Sequence, residues 1–185
     1  MYGTNIVRLS AALDYAARKH ANQRRKGVLA EPYINHPADV SRRLAEATSG
    51  CDLDLIVAGL LHDVMEDCGV PQEELVNEFG PAVAFLVCEV TDDMTLDKAE
   101  RKRRQIRLAG ASSPRAKMLR IADKTSNLYS LLTSPPPHWS MERRHEYFAW
   151  AREVADACRG VNPYLDAGFD KAYQQRFLLD ALQPA

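Results

Sequence analysis

Leu53-Asp54-Leu55-Ile56-Val57-Ala58-Gly59-Leu60-Leu61-His62-Asp63-Val64-Met65-Glu66-Asp67 is an apolar run that ends in a cluster of ionisable groups. Asp52, just ahead of it, is a good N-cap residue. Leu53, Ile56, Val57, Leu60 and Leu61 recur at three- and four-residue spacing, the period of one helix face. The stretch predicts a buried helix that runs into the His-Asp segment and stops before Gly69 and Pro71. Charge at the end of such a run is costly unless it is paired or bound to a metal.

The same spacing recurs along nearly the whole chain, and no stretch sustains period-two alternation. A first helix is predicted over residues 5–23, with Ile6, Leu9, Leu13 and Ala17 on one inward face. Gly27, Pro32 and Pro37 mark residues 26–37 as a loop, and Pro37 suits the first turn of a second helix that ends near Thr48. Short helices over 71–79 and 81–91 follow the His-Asp segment. Thr95 is read as the cap of a long basic helix that ends near Gly110. Ser113-Pro114, a cap followed by proline at the first helical position, opens a helix to Leu132. The stiff loop Pro135-Pro136-Pro137 precedes helices over 140–159 and 163–182. The predicted fold class is all-α: one helical bundle of about eight or nine helices over residues 1–185, without repeat or linker.

A chain of 185 residues suits one domain with a sizeable core, and 46% apolar with 26% charged residues is ordinary for a globular protein. The net charge of -1 gives no global field to draw in nucleic acid or an anionic membrane. The longest clean apolar stretch, residues 55–61, is too short to cross a bilayer. Residues 1–10 lack a basic start followed by an apolar block, so no signal peptide is read there. Cys51, Cys68, Cys88 and Cys158 show no Cys-x-x-Cys spacing, which argues against a zinc ribbon or a redox pair. Reduced, mostly packed thiols in the cytoplasm fit best.

His36, His62, Asp63 and Asp123 form a four-ligand set for one divalent ion. Mixed imidazole and carboxylate ligands suit Mn²⁺, Fe²⁺ and Zn²⁺. Adjacent helical residues such as His62 and Asp63 stand about 100° apart, so an ion touching both lies above the wedge between them. His36, before Pro37, and Asp123, behind the inward pattern Met118, Leu119, Ile121 and Ala122, are the remote ligands. Each residue also has a plainer reading: a loop histidine, a common dipeptide, a surface Asp123-Lys124 pair. Residue types alone leave those readings and metal ligation both open. Glu66 and Asp67 repeat one helical turn beyond His62 and Asp63. Acids at a helix C-terminus oppose the macrodipole, so a cation or a proton-transfer role is the natural compensation. A carboxylate at a metal site can orient an attacking water or take its proton. The chemistry indicated is metal-dependent hydrolysis of a phosphate ester.

Seven segments, in order, carry a family resemblance: Arg24-Arg25-Lys26, Pro32-Tyr33-Ile34-Asn35-His36-Pro37, Leu60-Leu61-His62-Asp63 with Glu66-Asp67, Glu89-Val90-Thr91-Asp92-Asp93, Glu100-Arg101-Lys102, Ala122-Asp123-Lys124 with Asn127-Leu128, and Glu146-Tyr147-Phe148. Over nearly its whole length the chain resembles the hydrolase domain of the RelA/SpoT alarmone enzymes, a branch of the HD superfamily. It is most similar to the free-standing small alarmone hydrolases, the metazoan SpoT homologue among them. The resemblance implies one Mn²⁺, the family's usual metal, on His36, His62, Asp63 and Asp123. It implies Glu66 and Asp67 as the catalytic acidic pair and Arg25 as the base-stacking arginine, with Lys26 its basic partner. Asn127 matches a sugar-phosphate contact, and Arg143 and Tyr147 match positions that line the nucleotide pocket. An arginine plane can stack on a purine, while a lysine supplies a point charge for phosphate. The implied reaction is hydrolysis of the 3′-pyrophosphate of guanosine tetra- or pentaphosphate to GDP or GTP plus pyrophosphate. The implied partner is that alarmone nucleotide. Oligomeric state is left open, a homodimer being compatible with the chain.

Six cations crowd residues 98–107. Most are read as an exposed helix face, with Lys98 and Arg101 within reach of a pyrophosphate. The run lacks aromatic interleaving, so nucleic-acid binding is not read from it. Three positions depart from the family pattern. Thr125-Ser126 stands where a bulkier pair is expected, Met65 where a small or β-branched residue is, and Val28-Leu29-Ala30 makes the loop after Lys26 less glycine-rich. These departures leave a second substrate open, the 2′-phosphate of NADPH, to which the metazoan relatives are linked. A non-catalytic alarmone-binding module is the alternative of another class, and the intact ligand set argues against it. The length leaves no room for a synthetase or regulatory domain beside the hydrolase.

Overall fold

The Asp52 carboxylate accepts the Leu55 N–H and starts helix α3 (Leu53–Leu61), which buries every residue from Leu55 to Leu61. Three helices close around it: α1 (Asn5–Lys19), α2 (Asn35–Ala47) and α6 (Pro81–Val90). Gly59 permits the approach of α2, since a Cβ there would meet Leu44 Cδ1 at 2.8 Å and Ser41 Cα at 3.0 Å. Across the same contact the Ser41 hydroxyl donates to the Ile56 carbonyl at 2.9 Å.

The structure, a computed structural model, describes residues 5–181. Part of the reading of residues 1–10, and the predicted end of the last helix at Leu182, lie outside the described residues. The remaining elements are α4 (Val64–Cys68), α5 (Gln72–Phe79), α7 (Lys98–Ala109), α8 (Pro114–Thr133), α9 (Met141–Cys158), α10 (Pro163–Gln174), a 3₁₀ turn (Gln175–Phe177) and α11 (Leu178–Ala181). Of the eleven described α-helices, nine have eight residues or more. Among the described residues there is no strand, only an isolated antiparallel bridge between Arg24 and Pro32. The all-α prediction is met. One hydrophobic cluster runs through α1 to α10, with Phe148 and Phe169 among its largest fully buried side chains.

Four local readings need correction. Helix α3 does not continue through the His-Asp pair. It ends at Leu61, His62 and Asp63 form a turn, and α4 starts at Val64 and closes on Gly69 at φ +67°. His62 Nδ1 bonds the Gly59 carbonyl at 2.9 Å, the acceptor that the Asp63 N–H would use in a continuing helix. Helix α1 ends at Lys19, because the His20 ring turns inward and stacks on Tyr33 at 4.7 Å. Its buried face is Ala12, Tyr15 and Ala16, while Ile6 and Leu13 are exposed. Tyr15 sets this phase by meeting the Phe79 ring edge-on at 5.2 Å and donating its hydroxyl to Glu74. Asp97 caps α7 by accepting the Glu100 N–H, and Thr95 turns to Asp93 instead. The cap read at Ser113 is in place, accepting from Ala116, and Ser140 caps α9 by accepting from Arg143. Of the four free thiols, Cys51 and Cys88 are exposed, so packing holds for Cys158 and partly for Cys68.

Gly59→Ala is expected to destabilise the fold by about 1–3 kcal/mol, because Ser41 backbone stands where the new methyl would go. Urea unfolding of the purified protein measures this, and an unchanged midpoint would contradict the close α2–α3 contact.

Candidate active site

Three elements bring the predicted ligands together. The first turn of α2 presents His36, the turn after α3 presents His62 and Asp63, and the middle of α8 presents Asp123. His36 therefore sits on a helix rather than in the loop before Pro37. Its Nε2 lies 3.3 Å from Asp123 Oδ1 and 3.6 Å from Asp63 Oδ2. Nε2 of His62 lies 3.1 Å from Asp63 Oδ2 and 3.9 Å from Asp123 Oδ1. Ligand atoms of His36, His62 and Asp123 all lie within 4.8 Å of one another. Asp63 faces both imidazoles through Oδ2, which also accepts the Tyr33 hydroxyl at 2.8 Å.

The donor set fits a divalent cation. His62 Nε2 is buried without an aligned hydrogen bond. Its Nδ1 lies against a carbonyl, which only accepts, so Nδ1 carries the hydrogen and Nε2 keeps a free lone pair in the neutral ring. His36 Nδ1 is likewise engaged, by the Ser126 hydroxyl at 3.0 Å. Hydrogen bonds on Nδ1 with Nε2 atoms turned inward are the arrangement of metal-bound histidines.

Charge in the cluster is closely balanced. Burial pushes Asp63 up, but His62 and His36 outweigh it and hold the carboxyl well below its ordinary value. Asp123 is also held low, burial being outweighed by Lys124 and His36. Burial keeps the His36 imidazole below its usual value. His62 behaves oppositely: burial favours the neutral ring, but Asp63 and Asp123 push it up to about 9. The proton on His62 occupies the place where a cation would balance the two carboxylates.

The acidic pair stands beside this cluster. Glu66 Oε2 accepts the Asp92 N–H at 3.2 Å, and Asp92 in turn accepts from Gln105 Nε2 at 2.5 Å. Burial, then the Asp92 charge, pushes Glu66 up to about 7. Such a carboxyl suits proton transfer near neutral pH. Asp67 lines the cavity above, and its backbone carbonyl accepts from Gln23 Nε2.

Two chambers meet at this point. The inner one, about 160 Å³, holds His36, His62, Asp63, Asp123 and Lys124. The outer one, about 700 Å³, is the size of a small-ligand site. Arg25, Tyr33, Asp63, Glu66, Gln105 and Asn127 border both. Lys26, Arg143 and Tyr147 line the outer chamber, so every residue named from the sequence borders one chamber or the other. Arg25 is fixed by Asn127 Oδ1 at 2.7 Å and Ser130 Oγ at 3.3 Å, and Asn127 Nδ2 donates on to Asp123 Oδ1 at 2.5 Å. The loop carrying Arg25 and Lys26 is tied to the turn after α8 by Leu29 N–H to Ser134 Oγ at 3.0 Å. Gly27 is needed there, since a Cβ would lie 2.0 Å from the Ser134 carbonyl oxygen.

Sequence reasoning missed several lining residues. Asp123-Lys124 is no surface pair: Lys124 is 6% exposed, its Nζ lies 2.7 Å from Asp123 Oδ2 and sits over the Trp150 ring at 4.6 Å. Lys102 joins Lys98 and Arg101 on the outer chamber, over the rings of Tyr147 and Trp150. Arg103 and Arg104 are spent on Glu100 and Asp93. Tyr33, Asp92 and Lys124 lay within the matched motifs, which was the available signal. Nothing local marked Gln105 or Trp150.

Residues 12–148 match the family model described as HD domain. The chain belongs to the HD domain family. Within it, this HD protein is 47% identical over 167 residues to the guanosine-3′,5′-bis(diphosphate) 3′-pyrophosphohydrolase MESH1 of Drosophila melanogaster, a match that spans 90% of this chain and 93% of that one. The Homo sapiens protein of the same name is 44% identical over 176 residues, spanning 95% and 98% of the two chains. A solved structure of a metazoan ortholog of SpoT that hydrolyses ppGpp superposes with a TM-score of 0.88 at 45% identity, covering 92% of this HD protein and 96% of that chain. The protein lmo0812 of Listeria monocytogenes EGD-e aligns more distantly, with a TM-score of 0.62 at 28% identity over 77% and 98%. This HD protein is thus a helical, metal-dependent type of hydrolase, and none of its described helices is long and apolar enough to cross a membrane.

The His62 proton must leave when a cation takes Nε2. Below pH 9 ion binding therefore releases that proton, and apparent affinity for Mn²⁺ is expected to rise about tenfold per pH unit. Calorimetric titration at pH 6.5 and 8 in buffers of different ionisation enthalpy measures both effects. An affinity independent of pH would contradict this balance.

Proposed function

We propose that this chain is a Mn²⁺-dependent hydrolase of (p)ppGpp. It removes the 3′-pyrophosphate of guanosine tetra- or pentaphosphate and yields GDP or GTP plus pyrophosphate. The observation that carries this reading is the junction of the two chambers. A buried ligand cluster opens directly into a cavity lined by Lys26, Lys98, Arg101, Lys102 and Arg143. A nucleotide with phosphate groups at two places on its ribose uses both ends of that space. The activity named for the MESH1 relatives supports the same substrate.

His36, His62, Asp63 and Asp123 would hold the ion. When bound, Mn²⁺ supplies Lewis-acid polarisation of a phosphoryl oxygen. Glu66, with a carboxyl near 7, takes a proton from the attacking water, and Asp67 orients that water at the chamber mouth. The water oxygen bonds to the phosphorus joined to ribose O3′, the P–O3′ bond breaks, and O3′ takes up a proton. Lys26 and Lys124 offset charge on the transferring group, where electrostatic stabilisation is most effective. Arg25, pinned by Asn127 and Ser130, presents its plane to the guanine. Tyr147 and Arg143 wall the opposite side of the nucleotide. We read residues 1–185 as one HD-type unit acting in the cytoplasm, where its free thiols stay reduced.

Purified protein with Mn²⁺ is expected to release pyrophosphate from the guanosine nucleotide, and a chelator to abolish the release. Orthophosphate from NADPH without pyrophosphate from ppGpp would replace this reading with the 2′-phosphatase one.

Glu66→Gln is expected to bind Mn²⁺ like the parent while kcat falls by about 10²- to 10⁴-fold. His62→Ala is expected to lose the ion and the activity together. Parental turnover by Glu66→Gln would remove Glu66 from the mechanism.

A further inference from the structure

Helix α7 carries four cations in a row, Arg101 to Arg104, and then a neutral residue, Gln105. Arg101 and Lys102 border the outer chamber, while Gln105 borders both chambers. We infer that Gln105 is a positioning residue: its amide anchors Asp92, and the Asp92 backbone N–H then holds the Glu66 carboxylate where the chambers meet. The inference rests on reading Glu66 as the group that takes the proton from water.

Gln105 Nε2 donates to Asp92 Oδ2 at 2.5 Å, and the Asp92 backbone N–H donates to Glu66 Oε2 at 3.2 Å. An ionised carboxylate only accepts, so the nitrogen end of the Gln105 amide is the end that faces Asp92. Three segments far apart in the chain meet in this path. Helix α4 carries Glu66, the stretch after α6 carries Asp92, and α7 carries Gln105. Residues 91–97, between α6 and α7, belong to no helix or strand, so side chains have to hold them. The neighbouring pair, Arg104 Nη1 to Asp93 Oδ2 at 3.0 Å, ties the same stretch to α7. That pair is partly exposed, and an exposed ion pair contributes little. The bond from Gln105 is the one on the chamber side.

An amide suits this position for a reason of charge. Glu66 and Asp92 are two acids side by side, and when both are ionised they repel. Without an anchor, the Asp92 carboxylate would swing away from Glu66 toward the cations of the outer chamber, and its N–H would leave the line to Oε2. Gln105 supplies a hydrogen and no charge, so it secures Asp92 and leaves the pair of acids otherwise as it is. A lysine or arginine, as at the four positions before it, would bring a full positive charge up to the same two carboxylates.

The test uses the full chain. Gln105→Met keeps the length of the side chain without its N–H, and Asp92→Ala keeps the backbone N–H without the carboxylate. Hydrogen exchange of the Asp92 amide is followed by NMR in metal-free protein, and pyrophosphate release from ppGpp with Mn²⁺ gives kcat and KM. Gln105→Met is expected to speed exchange at Asp92 about tenfold, because the N–H is no longer held on Glu66. It is expected to lower kcat about tenfold, with KM and Mn²⁺ affinity as in the parent. Made in the Asp92→Ala background, Gln105→Met is expected to change kcat no further, because the link is already cut. If methionine disturbs the packing of α7, Gln105→Glu removes the same donor at the same size and is read the same way. Exchange at Asp92 at the parental rate in Gln105→Met overturns the inference, as does a further loss of kcat when Gln105→Met is added to Asp92→Ala. A parent that releases no pyrophosphate overturns the reading of the site instead, and the exchange comparison still decides whether Gln105 holds Asp92.

Discussion

The carboxylates of Asp63 and Asp123 lie against two imidazoles in a chamber where α2, the turn after α3 and α8 meet. Four groups from three chain segments meet there, and their charges have to balance in a place where bare charge is expensive. Lys124 answers one carboxylate from behind, while the proton on His62 answers from within. A divalent ion held there would satisfy the same demand more completely, by accepting lone pairs from rings and acids together. Both rings are already oriented for it, each Nδ1 being engaged outward by Ser126 or the Gly59 carbonyl.

The surrounding packing serves that balance. Gly59 lets α2 close on α3, and its carbonyl turns the His62 ring while that same bond ends the helix. The break matters for chemistry, because it separates the metal-facing His62-Asp63 turn from α4, which carries Glu66 and Asp67. Glu66 is thereby placed beside Asp92 rather than stacked directly over His62. One acidic run in the chain becomes two functions: ligands that stay ionised, and a carboxyl whose proton affinity sits near neutral pH.

The outer chamber adds selectivity to a generic hydrolytic centre. Its cations come from the loop after α1, from α7 and from α9, and its aromatic wall is Trp139, Tyr147 and Trp150. Lys102 and Lys124 lie over the Trp150 ring, and Arg143 over Trp139. Cations held on aromatic faces stay close to the cavity. Phosphate groups are the complement of such a surface. The hydrogen-bonded path Arg25–Asn127–Asp123 links this wall to the ligand cluster, so the two chambers share one connected frame.

Much of this was legible in the chain alone. Helical period, the caps Asp52 and Ser113, and the breaks at Gly69 and Pro135 are local properties, and local physics determined them. His36, His62, Asp63 and Asp123 stood out as a candidate ligand set, and the ordered family motifs around them favoured ligation over the plainer readings and narrowed the ester. Tertiary structure decided what depends on who approaches whom. The inward phase of α1 was set by Tyr15 meeting Phe79 and Glu74, against the pattern of Ile6 and Leu13. Burial made Lys124 the partner of a ligand carboxylate, and Gln105 and Trp150 joined the site from distant helices. The contact of Ser126 with His36 arose the same way, because a side chain's hydrogen-bond partner is a matter of distance in space and not of position along the chain.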